Sequence, residues 1–260
     1  MANTERGRDE IGGVGHSIDG AVATITISNP DRRNAMSLAM YAAIPAAVAA
    51  VDQTPEVRVT VVRGAGTEAF GAGSSIDEFA RLRMGAAAVE YNRIEHEATE
   101  ALAGLTMPVV AAIHGPCMGG GVGLALTADL RIAADDAQFA VPPGRLGVGY
   151  PVDAAQRLQA IVGPTAAADL LLTARVIDAN EAHRIGLVTA VVAKAELDQH
   201  VADLVLRISR LAPLTLKAVK LALRHSPEAA EAAASCYDSA DYAEGIAAFA
   251  AKRRPTFTGR

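Results

Sequence analysis

A run of three glycines follows a short apolar segment near the middle of the chain, and this spacing suits the binding of an anion. The apolar run Val109–Ile113 predicts a buried strand, glycines occupy 119–121, and a helix-compatible run covers 122–128. A strand, a glycine turn and a helix start leave backbone N–H groups without partners, which suits an anion or a developing oxyanion. The same glycines also fit close packing of a helix on a strand, because a glycine run is a weak motif by itself.

A second strand and glycine turn occur earlier in the chain, with the same order of elements. Residues 57–62 predict a strand, glycines recur over 64–73, and a helix start follows, at which Ser75 is a suitable N-cap. Two such turns in one fold can direct two backbone N–H groups at one carbonyl oxygen. That arrangement stabilises the negative charge that develops on the oxygen in a transition state.

The composition excludes several classes of protein. The chain has 260 residues, 51% of them hydrophobic, so it can bury a sizeable core, and its net charge of −5 gives no indication of a nucleic-acid or membrane partner. Cys117 and Cys236 are too few for a disulfide framework, and no His/Cys spacing indicates a metal site. The polar N-terminus has no signal-peptide pattern. We therefore expect a soluble, cytoplasmic protein without a bound metal.

The elements that must position these turns alternate between strand and helix in the first part of the chain. Residues 1–16 are expected to be a disordered leader, and 18–27 predict a β-hairpin. Ser37 is expected to cap a helix that runs to about Asp52, with Pro45 either kinking this helix or marking its start.

Helices dominate the second part of the chain. Pro142 and Pro143 are expected to end regular structure, and 187–192 predict a short strand. Helices are predicted over 152–162, 164–172, 178–185, 195–211, 213–225 and 228–252. This order predicts an α/β region followed by a helical region.

Together with the tail at 243–257, the two glycine turns resemble the crotonase superfamily, the enoyl-CoA hydratase/isomerase family. The resemblance extends from about Ser17 to Phe257. It implies a spiral core of ββα units over 17–195 and a helical trimerisation region over 196–260. The expected assembly is therefore a homotrimer or a homohexamer.

The resemblance also implies the kind of site. The backbone N–H groups of Ser74 and Gly120 would hold the thioester carbonyl of an acyl-CoA, with coenzyme A as part of the substrate and no permanently bound cofactor. Residues implied to contact the CoA thioester are Arg33, Ala35, Ala72, Ser75, Ile76, Pro142, Pro143 and Lys252. For Arg33 and Lys252, which would meet phosphates, a solvated surface role is the alternative.

Two positions depart from the pattern of the hydratases in this family. Those enzymes hold a water molecule between two glutamates that act as general base and general acid. The resemblance places these glutamates at Gly123 and Pro143, and neither residue can transfer a proton. The sequence thus keeps the oxyanion turns and lacks the usual acid–base pair.

Other residues are weaker candidates for proton transfer. Tyr150 matches in spacing a tyrosine of methylmalonyl-CoA decarboxylases, whereas Asp153 is more simply interpreted as the N-cap of a helix that begins near Ala154. Glu95 and Glu97 lie on a strongly charged amphipathic helix, for which a solvated face is expected. His114, next to the glycines, is expected to be packed and hydrogen-bonded.

Three interpretations of the function therefore remain open. The first is a hydratase/isomerase-like enzyme that stabilises a thioester enolate, the second is an acyl-CoA decarboxylase that uses Tyr150, and the third is a non-catalytic acyl-CoA-binding protein. A serine nucleophile at 74–75 lacks the G-x-S-x-G spacing, and a dinucleotide site at 119–123 lacks G-x-G-x-x-G.

Overall fold

The computed structural model describes residues 12–260. Its strands are β1 (Gly13–Asp19), β2 (Val22–Ser28), β3 (Val59–Gly64), β4 (Val109–Ile113), β5 (Pro116–Met118), β6 (Leu130–Ala134), β7 (Gln138–Ala140), β8 (Ile177–Asp178) and β9 (Ala190–Val192). Its helices are α1 (Leu38–Asp52), α2 (Phe79–Leu82), α3 (Ala87–Gly104), α4 (Gly120–Ala125), α5 (Pro143–Leu146), α6 (Val152–Thr173), α7 (Ala179–Arg184), α8 (Leu197–Ser209), α9 (Pro213–Leu223), α10 (Ala229–Ser235) and α11 (Ala240–Ala250).

Two sheets form the core. The larger has the strand order β1-β2-β3-β4-β6-β9, in which β1 and β2 form an antiparallel hairpin and all other neighbours are parallel. The smaller has the order β5-β7-β8. Parallel neighbours require crossover connections, which include α1 between β2 and β3 and α3 between β3 and β4. The predicted α/β region is confirmed, and β5 and β8 are additional short strands.

Both faces of the large sheet are covered, because its central strands are apolar on both sides. In β4 all five residues are buried. One face packs against α1 and α3, and the other packs against α8 through Leu197, Val201 and Val205. Continuous apolar strands are typical of such doubly covered parallel sheets. The edge at which β3 and β4 end therefore has rigid support on both sides.

The start of the chain agrees with the sequence predictions in part. The hairpin is confirmed, but β1 begins at Gly13, inside the stretch expected as a leader; residues 1–11 of that stretch lie outside the described residues. Ser37 caps α1 as expected, since its hydroxyl accepts a hydrogen bond from the N–H of Met40. Pro45 does not mark the start of this helix, which begins at Leu38.

Later boundaries also differ in part. Pro142 and Pro143 do not end regular structure, because Pro143 is the first residue of the short helix α5, where a missing N–H is tolerated. The two helices predicted over 152–172 form α6, which is interrupted at Gly163. The single helix predicted over 228–252 is divided into α10 and α11, and Ser239 caps the second.

The C-terminal region is helical, as predicted. Lys220 attaches α9 to the core: it is buried, donates to the carbonyl of Met107 at 2.6 Å and pairs with Asp129 at 2.9 Å. An apolar groove of about 800 Å³ lies between α9, α10 and α11. In the part of the chain that the structure describes, no helix combines the length and apolarity needed to cross a membrane.

Candidate active site

The glycine turn after β5 presents one free backbone N–H group. Gly119 has φ +48°, in the left-handed region that favours glycine, and Gly120 begins α4. As the first helical residue, Gly120 has no intrahelical acceptor for its N–H, and no other acceptor for it occurs within residues 12–260. A Cβ on Gly121 would lie 2.6 Å from the carbonyl oxygen of Gly71, so this turn packs directly on the earlier glycine stretch.

The earlier turn presents a second free N–H group. Gly73 has φ +96°, and the N–H groups of the two residues that follow it differ in their partners. The N–H of Ser75 donates to the carbonyl of Met36 at 2.7 Å, whereas that of Ser74 has no acceptor among the described residues. A Cβ built on Gly120 would lie 3.5 Å from the nitrogen of Ser74, which shows how closely the two turns approach. The two N–H groups without acceptors, those of Ser74 and Gly120, therefore lie on neighbouring turns.

Both turns line one cavity of about 150 Å³. We call the segments 72–74 and 118–120 the turn wall; it contains no ionisable side chain. The cavity also brings together most of the predicted site residues. Those that line it are Ala72, Ser74, Ile76, Gly120, Gly123, Pro142, Pro143, Tyr150 and Asp153.

A second wall of the cavity is formed by residues of α3 together with Arg83, which follows α2, and one of these residues contradicts the sequence prediction. We call it the helical wall; its members are Arg83, Asn92, Glu95, His96 and Thr99. The solvated face predicted for Glu95 is wrong, because only 15% of its side chain is exposed and it accepts a hydrogen bond from Arg83 at 2.7 Å. Glu97 is solvated as expected, with 52% exposed.

The reason for the difference lies in the register of α3. Tyr91, Ala98 and Leu102 are buried, and Glu95 lies between them on the same stripe with helical spacing. Its carboxylate therefore points toward the interior. Burial raises the pKa of Glu95 above its usual value, while the charge and hydrogen bond of Arg83 act in the opposite direction. The spacing of this stripe is the signal in the sequence that could have identified Glu95.

Comparison with known proteins agrees with this architecture. The family model described as enoyl-CoA hydratase/isomerase matches residues 17–260. The chain belongs to the enoyl-CoA hydratase/isomerase family. A crotonyl-CoA hydratase of Syntrophomonas wolfei is 34% identical over 92% of this chain and 95% of its own length.

Two further relatives of this hydratase/isomerase family member are informative. A peroxisomal Delta(3,5)-Delta(2,4)-dienoyl-CoA isomerase of Arabidopsis thaliana is 31% identical over 92% of this chain and 93% of its own length. The crystal structure of an enoyl-CoA hydratase/carnithine racemase from Magnetospirillum magneticum has a TM-score of 0.92 at 35% identity, covering 95% of this chain and 96% of that chain. The crotonase-like fold class expected from the sequence is thereby confirmed.

Tyr150 and Asp153, the two acid–base candidates from the sequence, both line the cavity but differ in their hydrogen bonding and in the direction of their pKa shifts. The hydroxyl of Tyr150 is buried without a hydrogen-bond partner among residues 12–260, and burial raises its pKa well above its usual value. Asp153 is not an N-cap, because α6 begins at Val152 with Pro151 in the cap position. Burial opposes ionisation of Asp153, but hydrogen bonds from His96 and the backbone hold its pKa below the usual value.

Only some of the residues expected to contact CoA line the cavity. The carbonyl of Arg33 accepts a hydrogen bond from the N–H of Ala72 at 2.9 Å, so this loop adjoins the turn wall. Ala35 is half-buried, and Arg33 and Lys252 are exposed. Ser75 is buried and occupies the N-cap position of a short 3₁₀ helix without a capping hydrogen bond. Arg33, Ala35, Ser75 and Lys252 do not line the cavity itself.

The remaining candidates have structural partners. His114 is buried, with Nε2 3.3 Å from Asp198, as expected for a packed histidine. At the rim of the cavity lies one potential metal-ligand group that the sequence pattern does not indicate: His96, Glu100 and Asp153 bring ligand atoms within 4.8 Å of one another. However, His96 and Asp153 pair with each other and Glu100 pairs with Arg157. The absence of a metal stays a prediction.

Proposed function

We propose that this chain processes acyl-CoA thioesters by stabilising a thioester enolate between the N–H groups of Ser74 and Gly120. One observation carries the proposal: two backbone N–H groups without acceptors among the described residues lie side by side on two glycine turns that line the same cavity. The two turns are held by backbone hydrogen bonds, from Met36 N–H to the carbonyl of Gly73 and from Met118 N–H to that of Gly71, so both free N–H groups can donate to a charged oxygen without rearrangement. Such preorganised donors lower a barrier by about 3–4 kcal/mol each, which is large enough to dominate catalysis.

The chemistry that follows is proton movement next to the thioester carbonyl. A C–H bond beside this carbonyl breaks more easily when its electron pair moves onto the carbonyl oxygen, because the two N–H groups stabilise that charge. Hydratases and isomerases both use such an enolate. The names of the relatives, a crotonyl-CoA hydratase and a dienoyl-CoA isomerase, support unsaturated acyl-CoA substrates for this chain as well.

Between these two reactions, we favour enolate formation with double-bond migration over water addition. The resemblance places the water-holding glutamates at Gly123 and Pro143, and both positions line the cavity. Neither offers a proton-transfer group at the place where a hydratase needs one. Recognition of the CoA portion is assigned to Arg33, Ala35, Ala72, Ser75, Ile76, Pro142, Pro143 and Lys252.

The test is to incubate the purified protein in heavy water with 2-enoyl, 3-enoyl, saturated and malonyl-type CoA thioesters and to follow the products by mass spectrometry. Deuterium uptake at the α-carbon or migration of the double bond is the expected result. Water addition to a 2-enoyl thioester would assign a hydratase instead, and loss of carbon dioxide would assign a decarboxylase. Binding without any transformation would assign a non-catalytic acyl-CoA-binding protein and overturn the proposal.

A homotrimer or homohexamer is proposed for the assembly. Large apolar side chains on the C-terminal helices support it, since Leu223, Ile246 and Phe249 are 77%, 56% and 88% exposed. Exposed apolar surface of this extent is typical of interaction sites. Light scattering of the purified protein should give three or six times the 26.8 kDa chain mass; a monomer would contradict the proposal.

A further inference from the structure

We propose that Glu95 is the catalytic acid–base group of this cavity and that Arg83 is the residue that positions it. The inference rests on the proposed function, because it supplies the proton-transfer group that the oxyanion turns lack. The two positions at which the resemblance places glutamates, Gly123 and Pro143, cannot provide this group. The evidence is the placement of the Glu95 carboxylate in the helical wall of the cavity.

The side chain of Glu95 is held at one oxygen and open at the other. Its Oε2 accepts a hydrogen bond from Arg83 at 2.7 Å, while Oε1 accepts none from residues 12–260. Glu95 lines the cavity that contains Ser74 and Gly120, and its charge raises the pKa of both Tyr41 and Tyr150. A carboxylate fixed through one oxygen, with the second available in the cavity, has the arrangement of a general base.

Arg83 is itself fixed by contacts other than Glu95. Its guanidinium lies over the rings of Phe79 and Tyr91, at 5.1 Å and 4.5 Å from their centroids, and donates to Oδ1 of Asn92 at 3.0 Å. Only 8% of the Arg83 side chain is exposed. The arginine is therefore a rigid support that sets the direction of the Glu95 carboxylate.

A purely structural purpose accounts poorly for this ion pair. Removing two charges from water is costly, and replacing a buried ion pair with apolar residues is often neutral or stabilising. The surrounding rings of Phe79, Tyr91 and Tyr41 form edge-to-face pairs that would stabilise the wall without any charge. The charged pair is most simply explained by a role in the cavity.

The other polar groups of the cavity are less suited to proton transfer. The raised pKa of Tyr150 keeps its hydroxyl protonated at neutral pH, so it cannot act as a base. Asp153 is more exposed than Glu95, with 37% against 15%, and its carboxylate is engaged with His96. Among the described residues that line the cavity, Glu95 is the carboxylate that is both shielded from solvent and open at one oxygen.

The step balances without a co-reactant. The Glu95 carboxylate takes a proton from the carbon next to the thioester carbonyl, forming an O–H bond on Glu95 as the C–H bond breaks. The electron pair of that bond moves into the enolate, whose oxygen accepts hydrogen bonds from the N–H groups of Ser74 and Gly120. Glu95 then returns the proton to the same carbon or to the γ-carbon of an unsaturated chain, which shifts the double bond. In heavy water, exchange at the carboxyl group introduces a deuteron.

The pH dependence follows from the pKa of Glu95, which burial raises and the surrounding charges adjust. Arg83 favours its ionised form, and Asp153 disfavours it. The titratable groups that face it from the packed elements are Tyr41, Arg83, Tyr91, His96, Tyr150 and Asp153. Because Glu95 must be ionised to act as a base, the rate should rise with pH through its pKa. Loss of the Arg83 charge should move that limb to higher pH.

The experiment compares Glu95→Gln with Glu97→Gln. Both residues lie on α3 two positions apart, and Glu97 is exposed and paired with Arg93. General acid–base groups contribute about 10² to 10⁴-fold to rates, so Glu95→Gln should slow α-carbon exchange of a bound acyl-CoA by about 100-fold or more. Its Kd for a saturated acyl-CoA should stay within about threefold of the wild-type value, because glutamine keeps the shape of the side chain and a change of about 1.4 kcal/mol would be needed for a tenfold effect. Glu97→Gln should exchange at the wild-type rate.

A second pair of variants tests the positioning role and does not require Glu95 to be altered. Arg83→Lys keeps a positive charge beside the carboxylate, whereas Arg83→Met removes it. The low-pH limb of the exchange rate should lie at higher pH in Arg83→Met than in the wild type, and Arg83→Lys should restore most of the shift. If the low-pH limb of the exchange rate lies at the same pH in the wild type and both variants, Arg83 does not position Glu95.

The outcomes separate this inference from the proposed function. Exchange by the wild type that persists in Glu95→Gln overturns the role of Glu95 and leaves the oxyanion site intact. Loss of acyl-CoA binding together with exchange in Glu95→Gln assigns a structural role to the ion pair and overturns the inference. A wild-type protein that binds thioesters but transforms none overturns both proposals.

Discussion

The two walls of the cavity present different parts of the chain to a ligand. The turn wall offers backbone N–H groups and no ionisable side chain, whereas the helical wall offers the charged side chains of Arg83, Glu95 and His96. The turn wall can stabilise negative charge but cannot move a proton. In the proposed reaction, the helical wall moves the proton through the carboxylate of Glu95. The two tasks of the proposed enolate chemistry are therefore divided between the backbone of one wall and the side chains of the other.

The largest effect is expected where the turn wall loses a donor. Gly120→Pro removes the N–H, but any Cβ at this position would lie 2.1 Å from the hydroxyl of Tyr41. The comparison should therefore be made in a Tyr41→Phe background, with Gly120→Ala as the control that keeps the N–H and adds the same Cβ. Turnover of Gly120→Pro should fall about 100-fold or more below that of Gly120→Ala, corresponding to about 3–4 kcal/mol. Equal turnover would show that the turn wall does not act through this N–H.

The second effect concerns the stability of the helical wall. Arg83→Met leaves Glu95 without its counter-charge, so the free energy of unfolding at pH 7 should fall by about 3 kcal/mol, a typical value for breaking a buried ion pair. Urea unfolding monitored by circular dichroism measures this loss. Arg93→Met, which removes an exposed arginine of α3, is the control and should change stability little.

The loss of unfolding free energy in Arg83→Met should depend on pH in a definite direction. The pKa of Glu95 is raised above 4.5 in the folded protein, mainly by burial, so the folded state retains this proton to higher pH than the unfolded state. Stability therefore declines as pH rises through the interval between the two pKa values. Because Arg83→Met raises the folded pKa further, its loss of stability should be smaller near pH 4.5 than near pH 8. A loss that is independent of pH would contradict the assignment to Glu95.

A smaller effect is expected for the side chain of Ser74. The hydroxyl of Ser74 is 3.0 Å from the hydroxyl of Tyr41, and the Tyr41 side chain is fully buried. Ser74→Ala keeps the backbone N–H and leaves the Tyr41 hydroxyl without this partner, so the free energy of unfolding should fall by about 1 kcal/mol. Thermal or urea unfolding measures it. Turnover of Ser74→Ala should fall far less than that of Gly120→Pro. A comparable loss would mean that the hydroxyl of Ser74, and not its backbone N–H, stabilises the thioester oxygen.

The smallest effect is expected for Asp153, which lines the same cavity as Glu95. Its negative charge raises the pKa of Glu95, so Asp153→Asn should move the low-pH limb of the exchange rate to lower pH. This direction is opposite to that expected for Arg83→Met. A pH–rate profile measured at low ionic strength is the appropriate assay, because salt screens charges on partly exposed groups. A limb that moves to higher pH would show that the charge of Asp153 does not act on Glu95 in this way.

Much of the turn wall could be predicted from the sequence. The apolar strand Val109–Ile113, the glycines after it and the earlier turn at Gly73 are local features, whose conformations depend on the residues themselves. The alternation of β2 is also local and predicts a half-buried strand, and Ala23, Ile25 and Ile27 are indeed buried. Family membership follows from the combination of these short motifs.

The helical wall shows where local reasoning is insufficient. Glu95 and Glu97 have the same chemical type on one helix, and the abundance of charge on α3 conceals the fact that one of them points inward. Arg83 follows the four-residue helix α2, a segment too short to show periodicity. The type of Asp153 suits an N-cap, but the chain before it places Pro151 in that position.

The two glycine turns, the order of the elements and the family resemblance can be predicted from the amino-acid sequence, because glycine conformations and apolar periodicity are properties of short segments. Which charged residues line the cavity depends on how the elements pack. Burial of Glu95 depends on the surfaces that α3 meets, namely α1 and the segment that contains Phe79 and Arg83. These surfaces belong to other elements of the chain, so their juxtaposition with Glu95 exists only in the folded molecule.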